Sequence, residues 1–229
     1  MKERIQQLKR ASFVHKFYKK RLWKMLDDRG CFLKFPPYER DIHEMITATR
    51  DPVRYTSIAL ALRSLEREKI AGSLAELGVY RGATSRIIHR VLPDRPFYLF
   101  DTFAGFASAD LKAADARFQD TSLELVKKTI GDLKNVIFRQ GYFPETACGL
   151  ESESFSFVLL DADKFKPTLA GLEFFYPRLT PGGYVFIHDY NSPESDYDVS
   201  KAVQQFMGDK KEKILELADA GGSVVFRKI

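Results

Sequence analysis

Cysteine and histidine are scarce in this chain of 229 residues, which holds two of the first and four of the second. Cys31 and Cys148 lie far apart, form no Cys-x-x-Cys, and have no histidine at a zinc-binding spacing. Neither a disulfide framework nor a structural zinc site is therefore expected. Long apolar runs are missing as well: no stretch approaches 18 apolar residues, which excludes a transmembrane segment. Lys2, Glu3, Arg4, Lys9 and Arg10 leave no apolar core for a secretory signal in the first ten residues. Internal repeats and low-complexity tracts are also absent. Together these absences point to a reducing, cytoplasmic setting.

Charge of one sign is in short supply over most of the chain. The total is 36 Lys and Arg against 31 Asp and Glu, but residues 1–34 hold 11 of the basic residues and only 3 of the acidic ones. Everything after is close to neutral, so no nucleic-acid partner is expected. The basic leader is suited to an anionic partner, with a solvated helix face as the plainer reading. Its apolar residues Ile5, Leu8, Phe13, Phe17, Leu22 and Leu26 recur at helical spacings among Lys and Arg, which argues for an amphipathic helix. Such a helix suits a contact in a homo-oligomer or an element that recognises substrate. Pro36 and Pro37 break it, giving a basic helical extension over residues 1–40 and one domain over 41–229. A 45% hydrophobic content is enough to build a core for that domain.

Residues 41–70 have a helical pattern interrupted at Asp51-Pro52, so two helices are expected before the first strand. After Gly72 short apolar runs alternate with helical stretches. Strands are expected at 73–77, 97–100, 136–138, 155–160 and 184–187, with helices at 83–91, 122–130 and 167–176 between them. A helix at 199–206 and two strands at 214–217 and 222–227 close the chain. This alternation predicts an α/β fold of Rossmann-like type: a mostly parallel seven-stranded sheet with helices on both faces and an antiparallel edge.

Chemistry gathers where these strands end. The first strand runs into Leu74-Ala-Glu-Leu-Gly-Val-Tyr-Arg-Gly-Ala-Thr-Ser85, with Glu76 at its end, Gly78 and Gly82 in the turn, and Tyr80, Thr84 and Ser85 around them. Glycines there let backbone approach a ligand closely, and Glu76 can accept from an ammonium group. A Gly-x-Gly-x-x-Gly dinucleotide fingerprint is absent. The spacing Glu-x-Gly-x-x-x-Gly suits a ligand with a cationic amino-acid end and no pyrophosphate, as S-adenosylmethionine has. Asp101, at the end of the second strand, can take both ribose hydroxyls of a nucleoside. The fourth strand delivers Asp161-Ala-Asp163 and the fifth His188-Asp-Tyr-Asn191, on neighbouring strand ends. Carboxylates so placed suit an oxygen-ligated ion such as Mg²⁺, which would lower the pKa of a substrate hydroxyl. Helix capping by the aspartates and a structural role for His188 are the plainer alternatives. His15, His43 and His89 fall on predicted helices without neighbouring ligands.

At these residues the sequence resembles the macrocin O-methyltransferase family of class I methyltransferases, which act on natural-product and glycan sugars. The resemblance runs from about Asp41 to Phe206. It is carried by Ala75-Glu-Leu-Gly-Val-Tyr-Arg-Gly82, Phe100-Asp-Thr-Phe-Ala-Gly-Phe106, Gly141-Tyr-Phe-Pro-Glu-Thr146, Leu160-Asp-Ala-Asp163, Tyr176-Pro-Arg-Leu-Thr-Pro-Gly-Gly183 and His188-Asp-Tyr190. The resemblance implies S-adenosylmethionine bound at Glu76, Gly78 and Asp101, within a wider candidate set of Tyr80, Gly82, Thr84, Ser85, Thr102, Phe103, Gly141, Phe143 and Asp161. It also implies Asp161 and Asp189 as metal ligands, and Asp161 as the group that accepts the hydroxyl proton, with His188 as a further ligand or base. Lys164 follows the paired aspartates, where it either weakens a metal site or pairs with Asp163 or an anionic substrate. Residues 102–119 have the length of a lid after a strand end, with Phe103, Phe106 and Phe118 to shield the reacting centre. The expected activity is metal-assisted O-methylation of a sugar hydroxyl on a small molecule or glycan. A metal-independent methyltransferase, a scaffold that keeps the cofactor fold, and an NAD-dependent oxidoreductase are the rival readings.

Overall fold

A computed structural model describes residues 21, 39–107, 110, 111 and 115–229 of the chain. The amphipathic helix expected within residues 1–26 and the proline break after it lie outside the described residues, apart from Arg21. Residues Glu39–Ile229 form one compact unit.

Two helices, α1 (Arg40–Thr47) and α2 (Pro52–Arg67), precede the sheet. Asp51 sets the start of α2: its carboxylate accepts from Arg54 N at 3.2 Å, and Pro52 fills the first helical position, where no N–H is needed. The chain then alternates through β1 (Ser73–Leu77), α3 (Ala83–Val91), β2 (Phe97–Asp101), α4 (Leu123–Ile130), β3 (Val136–Gln140), β4 (Phe155–Leu160), α5 (Phe165–Phe175) and β5 (Leu179–Ile187). It ends with α6 (Asp198–Met207), β6 (Leu215–Glu216) and β7 (Val224–Arg227). Every residue of β1 and β4 is buried, as expected of central parallel strands covered on both faces, and this is why they are mostly apolar, with Ser73, Glu76 and Ser156 as the buried exceptions.

The seven strands lie in the order β3-β2-β1-β4-β5-β7-β6. β1 to β5 are mutually parallel, whereas β7 runs antiparallel to β5, with Ile187 opposite Val224, and β6 antiparallel to β7. The predicted fold class and its antiparallel edge are thus both present. Chain direction across the sheet reverses between β1 and β4, where a crevice opens at the strands' carboxyl ends. One stretch differs from expectation: Pro181-Gly-Gly183, read as a turn before the fifth strand, lies inside β5. Leu179 already pairs with Phe155 while Tyr184 pairs with Phe157, so the intervening residues bulge between two paired segments.

Phenylalanine fills the core under the crevice. Phe175, fully buried on α5, holds the rings of Phe100, Phe143, Phe155 and Phe174 at 5.7, 5.6, 5.0 and 5.1 Å. Each such contact adds about 0.5–1.5 kcal/mol to simple burial. This cluster fixes Phe143 from below, and the other side of Phe143 faces the site. Among the described residues no helix is long and apolar enough to cross a membrane.

Candidate active site

A cavity of about 290 Å³ occupies the crevice. Leu77 and Gly78 reach it from β1, Phe100 and Asp101 from β2, and Asp161 to Asp163 from the end of β4, with Gly141 to Phe143 opposite. The structure brings to it, from the sequence-derived candidates, Gly78, Tyr80, Asp101, Thr102, Gly141, Phe143, Asp161, His188 and Asp189. Glu76, Gly82, Thr84, Ser85 and Phe103 do not line it.

The physical roles of these five residues explain their positions. Glu76 is 1% exposed beneath the cavity floor, and its Oε2 accepts from Ser85 Oγ at 2.6 Å. Burial pushes its carboxyl up to about 8, so near neutral pH it is largely protonated and braces β1 against α3. Gly82 begins α3, where a Cβ would meet Val126 at 2.9 Å. Thr84 and Ser85 are buried on α3, and Phe103 turns its ring toward Phe138. Gly78 does line the cavity, yet what demands glycine there is the neighbouring strand: a Cβ would lie 2.0 Å from the carbonyl oxygen of Asp161.

Asp101 is more heavily committed than the sequence suggests. Its Oδ2 accepts from Val79 N at 2.7 Å and Tyr80 N at 2.9 Å, and its Oδ1 from Phe103 N at 2.7 Å. A carboxylate has about four acceptor positions. Asp101 therefore knits the β1 and β2 turns together and keeps room for one further donor, not the two that a pair of ribose hydroxyls would bring.

At the other end of the cavity lies a charged cluster that includes a residue the sequence does not single out. Arg54, from the first turn of α2, donates from Nη2 to Asp161 Oδ2 at 2.5 Å, with only 10% of its side chain exposed. His188 Nδ1 stands 3.0 Å from Asp161 Oδ1 and 3.0 Å from Asp189 Oδ2. Burial alone would push Asp161 up, but Arg54 and then His188 outweigh it and hold the carboxyl well below the usual range. Burial would likewise lower His188, yet Asp161 and Asp189 raise it to about 10, which makes it an imidazolium near neutral pH. Asp163 is raised, by burial first and then by the charges of Asp161 and Asp189, with which it shares the pocket. Nothing in local sequence marks Arg54, because an arginine in a helical first turn is ordinarily solvated.

Asp161, His188 and Asp189 each offer one donor atom, all within 4.8 Å of one another. Two carboxylates fit a divalent ion, and His188 could join them only by giving up the proton it holds between them.

Over the cavity lies the segment after β2, of which residues 102–107, 110, 111 and 115–121 are described. Phe106 and Phe118 contribute to its lining and meet edge to face at 5.2 Å. Lys164 pairs with neither Asp163 nor the cluster. Its Nζ reaches Asp115 Oδ2 at 3.2 Å and sits 4.4 Å above the Phe106 ring, clamping this cover from below. Arg117 grips the same Asp115 at 2.8 Å.

The family model Macrocin-O-methyltransferase (TylF) matches residues 40–228. The chain belongs to this family. Among curated relatives it is 29% identical over 156 residues to 8-demethyl-8-(2,3-dimethoxy-alpha-L-rhamnosyl)-tetracenomycin-C 4'-O-methyltransferase of Streptomyces olivaceus, covering 60% of each chain. To Mycinamicin III 3''-O-methyltransferase of Micromonospora griseorubida it is 27% identical over 161 residues, covering 61% of this chain and 63% of the relative. The match thus spans under two thirds of these relatives' length. Among solved structures, the O-methyltransferase NovP superposes with a TM-score of 0.65 at 21% identity, over 77% of this chain and 80% of NovP. The calicheamicin methyltransferase CalS11 gives 0.58 at 18%, over 86% and 95%. This macrocin O-methyltransferase family member therefore has the class I methyltransferase fold.

Proposed function

We propose that the protein transfers a methyl group from S-adenosylmethionine to a hydroxyl of a sugar on a natural product or glycan. The observation that carries this reading is the meeting, in one cavity, of a nucleoside-sized slot with the Arg54–Asp161–His188–Asp189 cluster and Asp163. The named activities of the relatives, each an O-methyltransferase, support it. S-adenosylmethionine supplies a methyl group already activated on a sulfonium, so the chain's task is orientation and proton removal.

Phe100, Phe143 and Tyr142 offer apolar surface for an adenine, and Asp101 keeps one acceptor position for a ribose hydroxyl. Phe106 and Phe118 exclude water above the reacting centre. The proton acceptor is Asp163. Both oxygens of Asp161 are committed to Arg54 and His188, and the imidazole of His188 lies between two carboxylates, which leaves Asp163 as the carboxyl of this cluster free of a cationic hydrogen-bond partner; it acts in its ionised form, which burial and the charges of Asp161 and Asp189 make the stronger base. Asp161 and His188 then act as the electrostatic frame. A divalent ion, when bound, would be held by Asp161 and Asp189, with His188 giving up its proton, and would supply Lewis acidity toward the substrate hydroxyl.

The test pairs Asp163→Asn with cofactor titration. The variant is expected to bind S-adenosylmethionine within about threefold of the parent and to lose roughly a hundredfold or more in methyl transfer. Full turnover in that variant would remove Asp163 from the reaction. Activity that survives exhaustive chelation, with no binding isotherm for Mn²⁺ or Mg²⁺, would favour the metal-independent reading, in which Arg54 and His188 supply the positive charge.

A further inference from the structure

A second, larger concavity of about 800 Å³ opens beside the cofactor cavity and shares Arg54, His188 and Asp189 with it. Its outer wall comes from the loop between β6 and β7, residues 217–222, and from the residues after β5. On the methyl-transfer reading this groove is the acceptor's approach, because a molecule seated in it meets Arg54 and His188 without entering the slot lined by Gly78 and Phe100. Two distant stretches of chain must hold their places for that. One is the first turn of α2, which carries Arg54, and the other is the tip of the loop.

Asp51 holds both. Its Oδ1 accepts from Arg54 N at 3.2 Å, and the residue capped in this way is the one whose guanidinium reaches Asp161 at 2.5 Å. Its Oδ2 accepts from Ala220 N at 3.1 Å, across 169 residues of sequence. The loop otherwise closes on itself, with Leu217 N donating to Ser223 O at 2.8 Å and Ser223 N to Asp219 Oδ1 at 2.7 Å. Among the described residues, the bond to Asp51 is the one hydrogen bond from residues 218–221 to the body of the domain. What it holds down fits closely: at Gly221 a Cβ would come within 2.6 Å of His188 Nε2 and 2.7 Å of Asp189 Oδ1, so the loop's backbone lies directly on these two side chains. One carboxylate therefore spans from the Arg54–Asp161 pair to the roof over His188 and Asp189. An ionised acceptor makes such N–H bonds about twice as strong as a neutral one does, which suits a tie that works alone.

We propose that Asp51 is a positioning residue for methyl transfer: with one oxygen it aims Arg54 at Asp161, and with the other it seats the acceptor-side wall on His188. The meaning of "acceptor-side" rests on the methyl-transfer reading, but the test does not. Two variants separate the oxygens. Asp51→Ser keeps a capping oxygen for Arg54 N and has no second one for Ala220 N, whereas Asp51→Ala has neither. Hydrogen exchange read by mass spectrometry is expected to show the Ala220 amide, within a peptide spanning residues 217–222, exchanging roughly tenfold faster in both variants, and the first turn of α2 exchanging faster only in Asp51→Ala. In nuclear magnetic resonance spectra the ring signal of His188, one of four histidines in the chain, is expected to shift in both variants. The Nε–H signal of Arg54, a group sealed from solvent and without an acceptor, is expected to persist in Asp51→Ser and to be lost in Asp51→Ala. Affinity for S-adenosylhomocysteine should stay within about threefold of the parent in Asp51→Ser, since Asp51 does not line the cofactor cavity. Unchanged exchange at Ala220 overturns the proposal, as does a His188 signal that stays put while that amide is freed. So does an Arg54 signal lost equally in both variants, or a larger loss of cofactor affinity in Asp51→Ser, either of which would make Asp51 a general structural residue. Failure of the methyl-transfer reading would show separately, as no heat when the parent protein is titrated with S-adenosylhomocysteine.

Discussion

Replacing Lys164 by methionine removes the clamp beneath the cover of the cofactor cavity while leaving a side chain of similar length. Lys164 Nζ lies 3.2 Å from Asp115 Oδ2, with the two side chains only 13% and 17% exposed, and 4.4 Å over the Phe106 ring. A cation–π contact of this kind is worth about 0.5–2 kcal/mol, and a partly shielded ion pair about 1 kcal/mol. Arg117 still holds Asp115 at 2.8 Å, so the cover loses one of two cationic grips. The ratio of closed to open cover should then fall by about 5- to 150-fold, for a loss of about 1–3 kcal/mol. Because closure is where Phe106 and Phe118 meet the ligand, the cost should appear in cofactor affinity, with an apparent Kd about tenfold higher. Calorimetric titration with S-adenosylmethionine reads this directly, and thermal unfolding should barely move because the clamp lies outside the phenylalanine core. An unchanged Kd would refute the reasoning. So would a fall in thermal stability large enough to account for the loss, since it would make Lys164 a general structural residue.

Arg54→Met should leave Asp161 buried with His188 as its remaining charged partner, at a stability cost of about 3–5 kcal/mol. Turnover should fall about a hundredfold while S-adenosylmethionine binding changes little, and Arg54→Lys should restore part of the turnover; equal losses in affinity and turnover would contradict this assignment. Phe175→Ala should cost about 3–5 kcal/mol in denaturant unfolding, because four rings lose their common partner. Glu212, whose side chain is 3% exposed, would be raised by burial, but the Tyr176 hydroxyl at 2.7 Å and backbone N–H groups hold it down to about 2. A depressed carboxyl contributes stability that is present above its unfolded value of about 4.5 and is lost as pH falls toward 2. Glu212→Gln should therefore flatten the acid limb of the stability curve between those limits, by on the order of 1–3 kcal/mol; an unchanged limb would place the acid sensitivity elsewhere.

The order of elements in the domain was legible because its central strands are buried on both faces, which keeps them short and mostly apolar, and because Asp51-Pro52 and Ser122, which accepts from Leu125 N, mark the helix starts. The acidic positions at the strand ends were legible for the same reason, since a strand's last residue must fall at the sheet's edge. Their partners were not. Glu76 reads as a ligand from its spacing, but only the packing of α3 on β1 shows that it accepts from Ser85 and does not itself line the cavity. Asp101 reads as a ribose acceptor, but the fold of two turns decides that three backbone N–H groups reach it first. Arg54 and Asp161 are 107 residues apart, and no periodicity carries that distance. Lys164 looks out of place beside two aspartates until the cover brings Asp115 to it.

The two cavities draw on different parts of the chain. The cofactor cavity is built by the parallel strands and their crossovers, whereas the outer wall of the groove comes from the loop before the last strand and shares only Arg54, His188 and Asp189 with its neighbour. Residues 217–219 therefore lie outside the slot between β1, β2 and β4, whereas Ala220 N donates to Asp51 at the start of the helix that carries Arg54. Within that loop Gly221 is the position that has to stay, because the histidine beneath it leaves no space.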